Sequence, residues 1–468
     1  MAISLVVAAC GGGDDASDAS STSSVEATTT TMTEAPTSTD APSSTTAPPS
    51  TNTTAADEDE STSTTTLEEP ADDPDEPEGG ELPEEVERTD WFTIAEGLTL
   101  VSFTGESASA SNSIRAMDGA ATQIGFGTDD SEPVVYTFEL PALTTFDRFA
   151  VPDTRNSPGN TTFFGAIEIA GSSTSATDGF EILVSEEFSE LPDGEEFAEY
   201  SPSSLTPVRW IRLTLSGALR VEPEHDTGNT VVRFSELIGN GTQEIVPLSE
   251  AFTGVWELAF ADNPDGAGVL TELKQDGAVV AGCVGFASVT GTVTGNVVRL
   301  NGVDTRDERP SVYLFVVDGD GRLRGVESTN NGVFRARIGR IAPEGTTTDC
   351  SDSAPEPLAC GSIVYVNFDV NSAIIRPDSA PVLDDLFAGL SGVDGKILIE
   401  GHTSTEGTTD HNLDLSERRA QAVVDALVEL GLTADRLTSV GKGESEPLVS
   451  ESDETSRSIN RRVEIGCG

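Results

Sequence analysis

Positive charge is the scarcest thing in this chain. Its 468 residues carry 26 Lys and Arg against 81 Asp and Glu, a formal net charge of -55. A surface so acidic repels the phosphate backbone of a nucleic acid instead of neutralising it, which excludes nucleic-acid binding. Histidine is rarer still, with only His225, His402 and His411. With so few imidazoles, and with no nucleophile-elbow or zincin motif, the expectation is a chain that is not an enzyme and uses no cofactor. Long apolar runs are missing as well: the N-terminal MAISLVVAAC is too short to cross a bilayer, which takes about 20 residues. The three Trp and four Tyr leave few aromatic platforms for sugars. None of the five cysteines has the CxxC spacing of a metal site, so no metal is expected.

Among the features present, Val7-Ala8-Ala9-Cys10 resembles the lipobox of bacterial lipoprotein signal peptides. That resemblance makes residues 1–10 a signal remnant, with Cys10 lipidated as the mature N-terminus and the chain exported and lipid-anchored in the cell envelope. The stretch lacks the basic n-region of a secretory signal. Export places the other four cysteines in a compartment that permits disulfides. Of their three pairings, Cys283–Cys350 with Cys360–Cys467 is preferred, because each pair brackets one of the segments below; four reduced thiols are the alternative.

Composition divides the rest into segments. Residues 11–90 are Ser, Thr, Pro, Ala, Asp and Glu, with no Lys or Arg before Arg88. They cannot bury enough apolar surface to offset ordering entropy, and so read as a disordered acidic linker. Such a linker reaches roughly 50 Å as a coil and about 260 Å if stretched. Residues 91–245 hold short β-rich runs, PVVYTFELP, FDRFAVP, FEILVS and RWIRLTL, separated by Gly, Asn, Asp, Ser and Pro, the pattern of a β-sandwich. In residues 250–345, strands of roughly six residues alternate with DG, GN and GDG turns, describing a small antiparallel meander or barrel. Residues 360–468 alternate β-runs with helical stripes, Val382, Leu383, Leu386, Phe387 and Leu390 in one and Ala420, Val423, Val424, Leu427 and Leu430 in the other, the latter ended by Gly431. That is a two-layer α/β domain. The fold expected is therefore multidomain: tail, sandwich, small barrel and α/β domain.

The succession FDVNSA, IEGHTSTEG, NLDLSERRAQAVVDAL, GKGESEP and SINRRVEI strongly resembles the OmpA-like domain, a family that includes peptidoglycan-associated lipoproteins and flagellar stator subunits. The resemblance implies non-covalent binding of peptidoglycan through the diaminopimelate of its stem peptide. It places the family's helix arginine on Arg419, whose planar fork can hold a carboxylate with two parallel hydrogen bonds. Arg418, turned by about 100° on the helix, faces solvent. The resemblance also assigns supporting contacts to Asn371, Thr403, Asn412 and Arg462. It further implies an Asp directly after GHT to hold the ammonium of the diamino acid, but here Ser404 stands in that place. Either the grip is weaker, or Glu406 supplies the carboxylate, or the preferred stem-peptide residue differs.

The sandwich segment resembles the discoidin-like, galactose-binding-like jelly roll through SNSIRAMDGAATQIGFGTDD, RWIRLTLSG and VVRFSELIGNG. That family supplies glycan sites with loop aromatics and, in some members, calcium beside an Asp-Gly loop, which falls near Asp118 here. Trp210, on an alternating strand, is expected in the core. Glu222, Glu224, His225 and Asp226 combine metal-ligand types on a turn and are expected to be a solvated loop. The function expected is an envelope lipoprotein that ties membrane to cell wall. The alternative is a surface adhesin whose discoidin-like domain binds a glycan. A stator role is disfavoured, since no apolar spanning stretch carries an acidic residue.

Overall fold

The structure, a computed structural model, describes residues 88–104, 117–118, 124–127, 133–152, 162–187, 197–217, 219–220, 231–234, 236–261, 263–350 and 354–468. The lipobox with Cys10, residues 11–87 of the acidic linker and the Glu222, Glu224, His225, Asp226 cluster lie outside these residues; Arg88, Thr89 and Asp90, assigned to the linker by composition, instead join the first folded region, where Arg88 pairs with Asp147 and Asp90 accepts the Gly239 N–H.

The first folded region is built from β1 (Thr99–Thr104), β2 (Ile124–Gly127), β3 (Val134–Pro152), β4 (Thr162–Phe163), β5 (Ala166–Ser172), β6 (Glu181–Glu187), β7 (Phe197–Tyr200), β8 (Val208–Ser216), β9 (Leu219–Arg220), β10 (Val231–Phe234) and β11 (Ile238–Gln243). A seven-stranded sheet runs β1-β3-β8-β5-β6, with β7 and β11 also on β3, and a four-stranded sheet runs β2-β10-β4-β9. Both sheets contribute to one core: Tyr136 of β3 packs 6.1 Å, centroid to centroid, from Phe234 of β10. The 19-residue β3 serves several partners because its pairing with β8 breaks between Glu139 and Thr144, around Pro141, which has no N–H to give to a ladder. Period two on β8 sends Ile211, Leu213 and Leu215 inward. Trp210 is therefore on the opposite face and only half-buried, against the expectation that it sits in the core.

The meander closes. Strands β12 (Gly254–Phe260), β13 (Val269–Asp276), β14 (Val279–Val284), β15 (Ala287–Thr294), β16 (Val297–Asp304), β17 (Pro310–Val317), β18 (Leu323–Thr329) and β19 (Arg335–Ile341) pair with their sequence neighbours, and β19 returns to β12 to complete a barrel. Two-residue turns at Gly277 and Gly295, with φ of 57° each, set the register. The disulfide Cys283–Cys350 ties β14 to the segment after β19. Strand β17 is buried on both faces: Tyr313 and Phe315 fill the barrel, while Leu314 and Val316 meet Ile94 and Ala95, and Val312 meets Val449 and Ile459. The barrel is thus the hub on which the other two regions pack, all within the unit Glu81–Gly468.

The C-terminal domain comprises β20 (Ile363–Val364), α1 (Ala380–Ser391), β21 (Ile397–His402), α2 (Thr409–Leu430), β22 (Leu437–Gly443), α3 (Glu454–Asn460) and β23 (Val463–Cys467), with sheet order β20-β23-β21-β22. Cys360–Cys467 closes it. The expected stripes are buried except at Phe387, which is half-buried, and at Leu430, which is 39% exposed because Gly431 ends the helix beside it. The SIVYVNFDV run makes only a two-residue strand, since Tyr365 leaves the sheet for the barrel: its N–H donates to Thr292 (3.2 Å) and its carbonyl accepts from Thr294 (2.7 Å). Helix α3 falls where a polar loop was expected. Its signal is a reciprocal cap in which Asp453 accepts from the Ser456 N–H and Ser456 accepts from the Asp453 N–H.

Candidate functional site

The helix that carries the two arginines starts at Thr409, capped by Thr408, whose hydroxyl accepts from the His411 N–H. Asn412 is therefore inside the first turn and free of capping; its amide donates to Glu444 (2.5 Å). Strand β21 approaches α2 closely: a Cβ on Gly401 would lie 2.3 Å from the Ser416 carbonyl. That approach sets Thr403 and Ser404, at the end of β21, beside the start of the helix. Arg418 is exposed and pairs with Asp414 (2.7 Å), one turn earlier.

Arg419 is buried. Its Nε donates to the Ser372 carbonyl (2.8 Å), one terminal nitrogen reaches the Asp369 carbonyl (3.5 Å), and the guanidinium stands 5.0 Å from the Phe368 ring. Among the described residues no carboxylate pairs with it. Burial, then Arg461 and Arg418, pull its pKa down to about 9, so it is still a cation at neutral pH. It faces a cavity of about 690 Å³ that also takes in Asn371, Thr403, Ser404, Glu406 and Asn412.

The supporting residues are placed as follows. Asn371 adopts φ of 53°, a left-handed turn that asparagine tolerates, and its carbonyl oxygen is 2.7 Å from His411 Nε2, tying the first loop to α2. The hydroxyl of Thr403 is buried without a partner among the described residues. Ser404 lies 3.5 Å from Glu406, whose carboxylate faces Arg457 (3.3 Å) and Arg461 (3.9 Å); burial raises its pKa. Arg462 does not join them. It is turned from the cavity to Glu464 (2.7 Å), the Asn460 carbonyl (3.2 Å) and the Glu446 carbonyl (2.9 Å). Its neighbour Arg461, on the cavity wall and paired with Glu454, takes that place. His402 is buried beneath the loop, and burial with Arg462 nearby lowers its pKa to about 4.

Sequence reasoning missed the opposite wall. The sandwich contributes Asp90, Glu96 and Glu236, and the barrel contributes Arg299. Six arginines of the chain's 26 basic residues line this cavity, with five acidic residues among them. Arg376 pairs with Glu96 (2.7 Å) and Asp378 (3.0 Å), and Arg457 with Glu454 (3.1 Å). Burial and neighbouring carboxylates lift Asp90 to about 7 and Glu236 to about 8. Asp118 belongs to this neighbourhood: its carbonyl accepts from the Glu454 N–H (2.9 Å). Among the described residues no group of three or more His, Cys, Asp or Glu side chains could hold a metal ion. No helix among them is long and apolar enough to cross a membrane.

The C-terminal two-layer α/β domain thus presents on α2 a buried arginine that has no carboxylate partner among the described residues. The OmpA family model matches residues 367–461, and the peptidoglycan-associated lipoprotein of Pseudomonas putida is 34% identical over 131 residues, 28% of this chain and 79% of that protein. The chain belongs to the OmpA family through this domain. Outer membrane protein A of Shigella flexneri is 36% identical over 118 residues, 25% of this chain, and the match spans only a third (33%) of that relative's length. In structure, the chain is similar to the C-terminal domain of a chitobiase from Bacteroides fragilis, at 19% identity, covering 34% of this chain and 99% of that one with a TM-score of 0.25.

Proposed function

We propose that the cavity binds the stem peptide of peptidoglycan non-covalently, with Arg419 holding a carboxylate of its diamino acid. The observation that carries this reading is a buried guanidinium anchored by two backbone carbonyls and an aromatic face, with no carboxylate of its own. A buried cation in that state lacks the partner that would offset its desolvation, and an anionic ligand supplies one. Asn371, Thr403, Ser404, Asn412 and Glu406 line the same space, and Arg461 replaces Arg462 in the contact set. Ser404 keeps a hydrogen bond to the ligand and loses the charge assistance of a carboxylate. The names of the relatives support the ligand: the P. putida protein is a peptidoglycan-associated lipoprotein.

In the cell, we take the chain to be an envelope lipoprotein, lipidated at Cys10 and tethered by residues 11–87. One weak hold on a polymeric wall then adds to membrane attachment within tether reach. A second reading, adhesion through a glycan on the sandwich, draws on Trp210, which lies on the outward face of β8; a glycan array with Trp210→Ala decides it. The primary test is sedimentation of the full chain with purified sacculi. Wild type co-sediments and Arg419→Ala stays in solution; a folded wild type that fails to co-sediment rejects the reading.

A further inference from the structure

We propose that Glu236 is a second ligand-binding residue of this cavity, a carboxylate from the sandwich that receives an ammonium group of the ligand whose carboxylate Arg419 holds. This rests on the reading above and names what the far wall selects: a stem peptide whose diamino acid still has a free amine.

Most charges of the cavity are paired, Arg299 being a buried exception that donates to the Ala95 carbonyl (2.9 Å). Glu96 is matched by Arg376, and Glu454 by Arg457 and Arg461. Arg88 is matched by Asp147, and Asp90 accepts the N–H groups of Phe92 (3.0 Å) and Gly239 (2.9 Å). Glu236 is different. It is 7% exposed, it lines the cavity, and among the described residues it has neither a hydrogen bond nor an ion pair. Taking a carboxylate out of water without a partner is costly. Nor can this one swing away: Phe234 and Leu237 on either side are each 1% exposed and locked in the sandwich core. A buried acidic side chain on a polar cavity, with no partner among the described residues, is arranged for a cation from outside.

Position fixes what kind of ligand satisfies both walls. Glu236 lies in the field of Arg457 and Glu454, whereas Arg419 lies in that of Arg461. Glu236 belongs to the sandwich and Arg419 to helix α2 of the C-terminal domain, and both line the one cavity, so we assign them to different groups of the ligand. Glu236 is thus no stand-in for the carboxylate missing at position 404. It adds a second contact, one that an isolated C-terminal domain does not possess.

The test is calorimetric titration of the full chain with two tetrapeptides containing diaminopimelate, one with the side-chain amine free and one with it acetylated. Wild type favours the free amine by about tenfold, the scale of one charge-assisted hydrogen bond. Glu236→Gln binds both peptides alike, and Arg419→Ala binds neither. Equal wild-type binding of both peptides, or discrimination that survives in Glu236→Gln, overturns the assignment while leaving stem-peptide binding intact. Failure of wild type to bind either peptide or sacculi overturns both. The unliganded Glu236→Gln protein melts no lower than wild type, since a buried carboxyl with no partner among the described residues is replaced by an amide of similar size; a clearly lower melting temperature shows Glu236 to be structural and also overturns the assignment.

Discussion

The two walls of the cavity are built on opposite plans. On the C-terminal wall, Arg419 is supported by backbone carbonyls that α2 and the first loop bring together, and by an aromatic ring from the same domain. On the sandwich wall, Glu236 has no hydrogen bond or ion pair among the described residues and stands between Phe234 and Leu237 of the core. One wall keeps its charge by distributing it over dipoles; the other holds its carboxyl in a place where burial and like charges favour the neutral form. On the proposed reading, the module gains selectivity from what is packed against its open face.

The largest way to break the comparison is to cut the staples. Cys360–Cys467 closes a separation of 107 residues and Cys283–Cys350 one of 67, whereas no disulfide is found in the described part of the sandwich. Reduction removes about 4 kcal/mol per bridge on the chain-entropy account. Hydrogen exchange under reducing conditions should therefore show the C-terminal domain and barrel opening well before the seven-stranded sheet. Next comes Arg419→Ala: losing two charge-assisted hydrogen bonds, about 3 kcal/mol, lowers sacculus binding by roughly 100-fold. Thermal stability holds, because no ion pair is broken.

Proton linkage distinguishes the walls more finely. A carboxyl whose folded pKa exceeds its unfolded value binds an extra proton in the folded state, so its contribution is fully present below about pH 4 and is lost as pH rises through the folded value. For Asp90 and Glu236 the windows run from about 4 to about 7 and about 8. Each group then costs about 1.4 kcal/mol per pH unit inside its window. Between pH 5 and 8 the melting temperature of Glu236→Gln should fall less with rising pH than that of wild type. An identical slope would show that burial, with Asp90, Asp118 and Glu454 nearby and Arg457 opposing them, does not hold its pKa up. The smallest expected effect is Ser404→Asp, which restores charge assistance beside Arg419 and tightens sacculus binding by about 1 kcal/mol, roughly fivefold. Weaker binding would mean that Glu406 already fills the role.

The C-terminal wall was legible because its residues sit in local motifs. The GHTS loop, the SERRA turn and the 3.6-residue stripe place Arg419 at the edge of a buried face, and the neighbouring Arg418 in solvent, from helix geometry alone. Asn412 and Arg462 were harder. Asn412 lines the cavity from the first turn of a helix that starts three residues earlier, at Thr409. Arg462, assigned by resemblance, is turned away while Arg461 lines the cavity, and no one-dimensional pattern tells which of two adjacent arginines a short, unrecognised helix turns inward. Trp210 shows the same limit: the period of β8 was readable, but its phase depended on which face met the second sheet.

Local chemistry in the chain therefore determined the charge, the turns of the barrel and the identity of the C-terminal module, since each rests on residues close in sequence or on counts that folding does not change; the cysteine pairing, across 67 and 107 positions, was only a preference until the fold brought the partners together. Tertiary structure alone decided that the module's cavity has a far wall. Glu236 and Arg419 are 183 positions apart in the sequence, and only packing on both faces of β17 brings their domains to one cavity. A buried charge without a partner cannot be recognised from sequence, because burial and the lack of a partner are properties of everything around the residue and not of the residue itself.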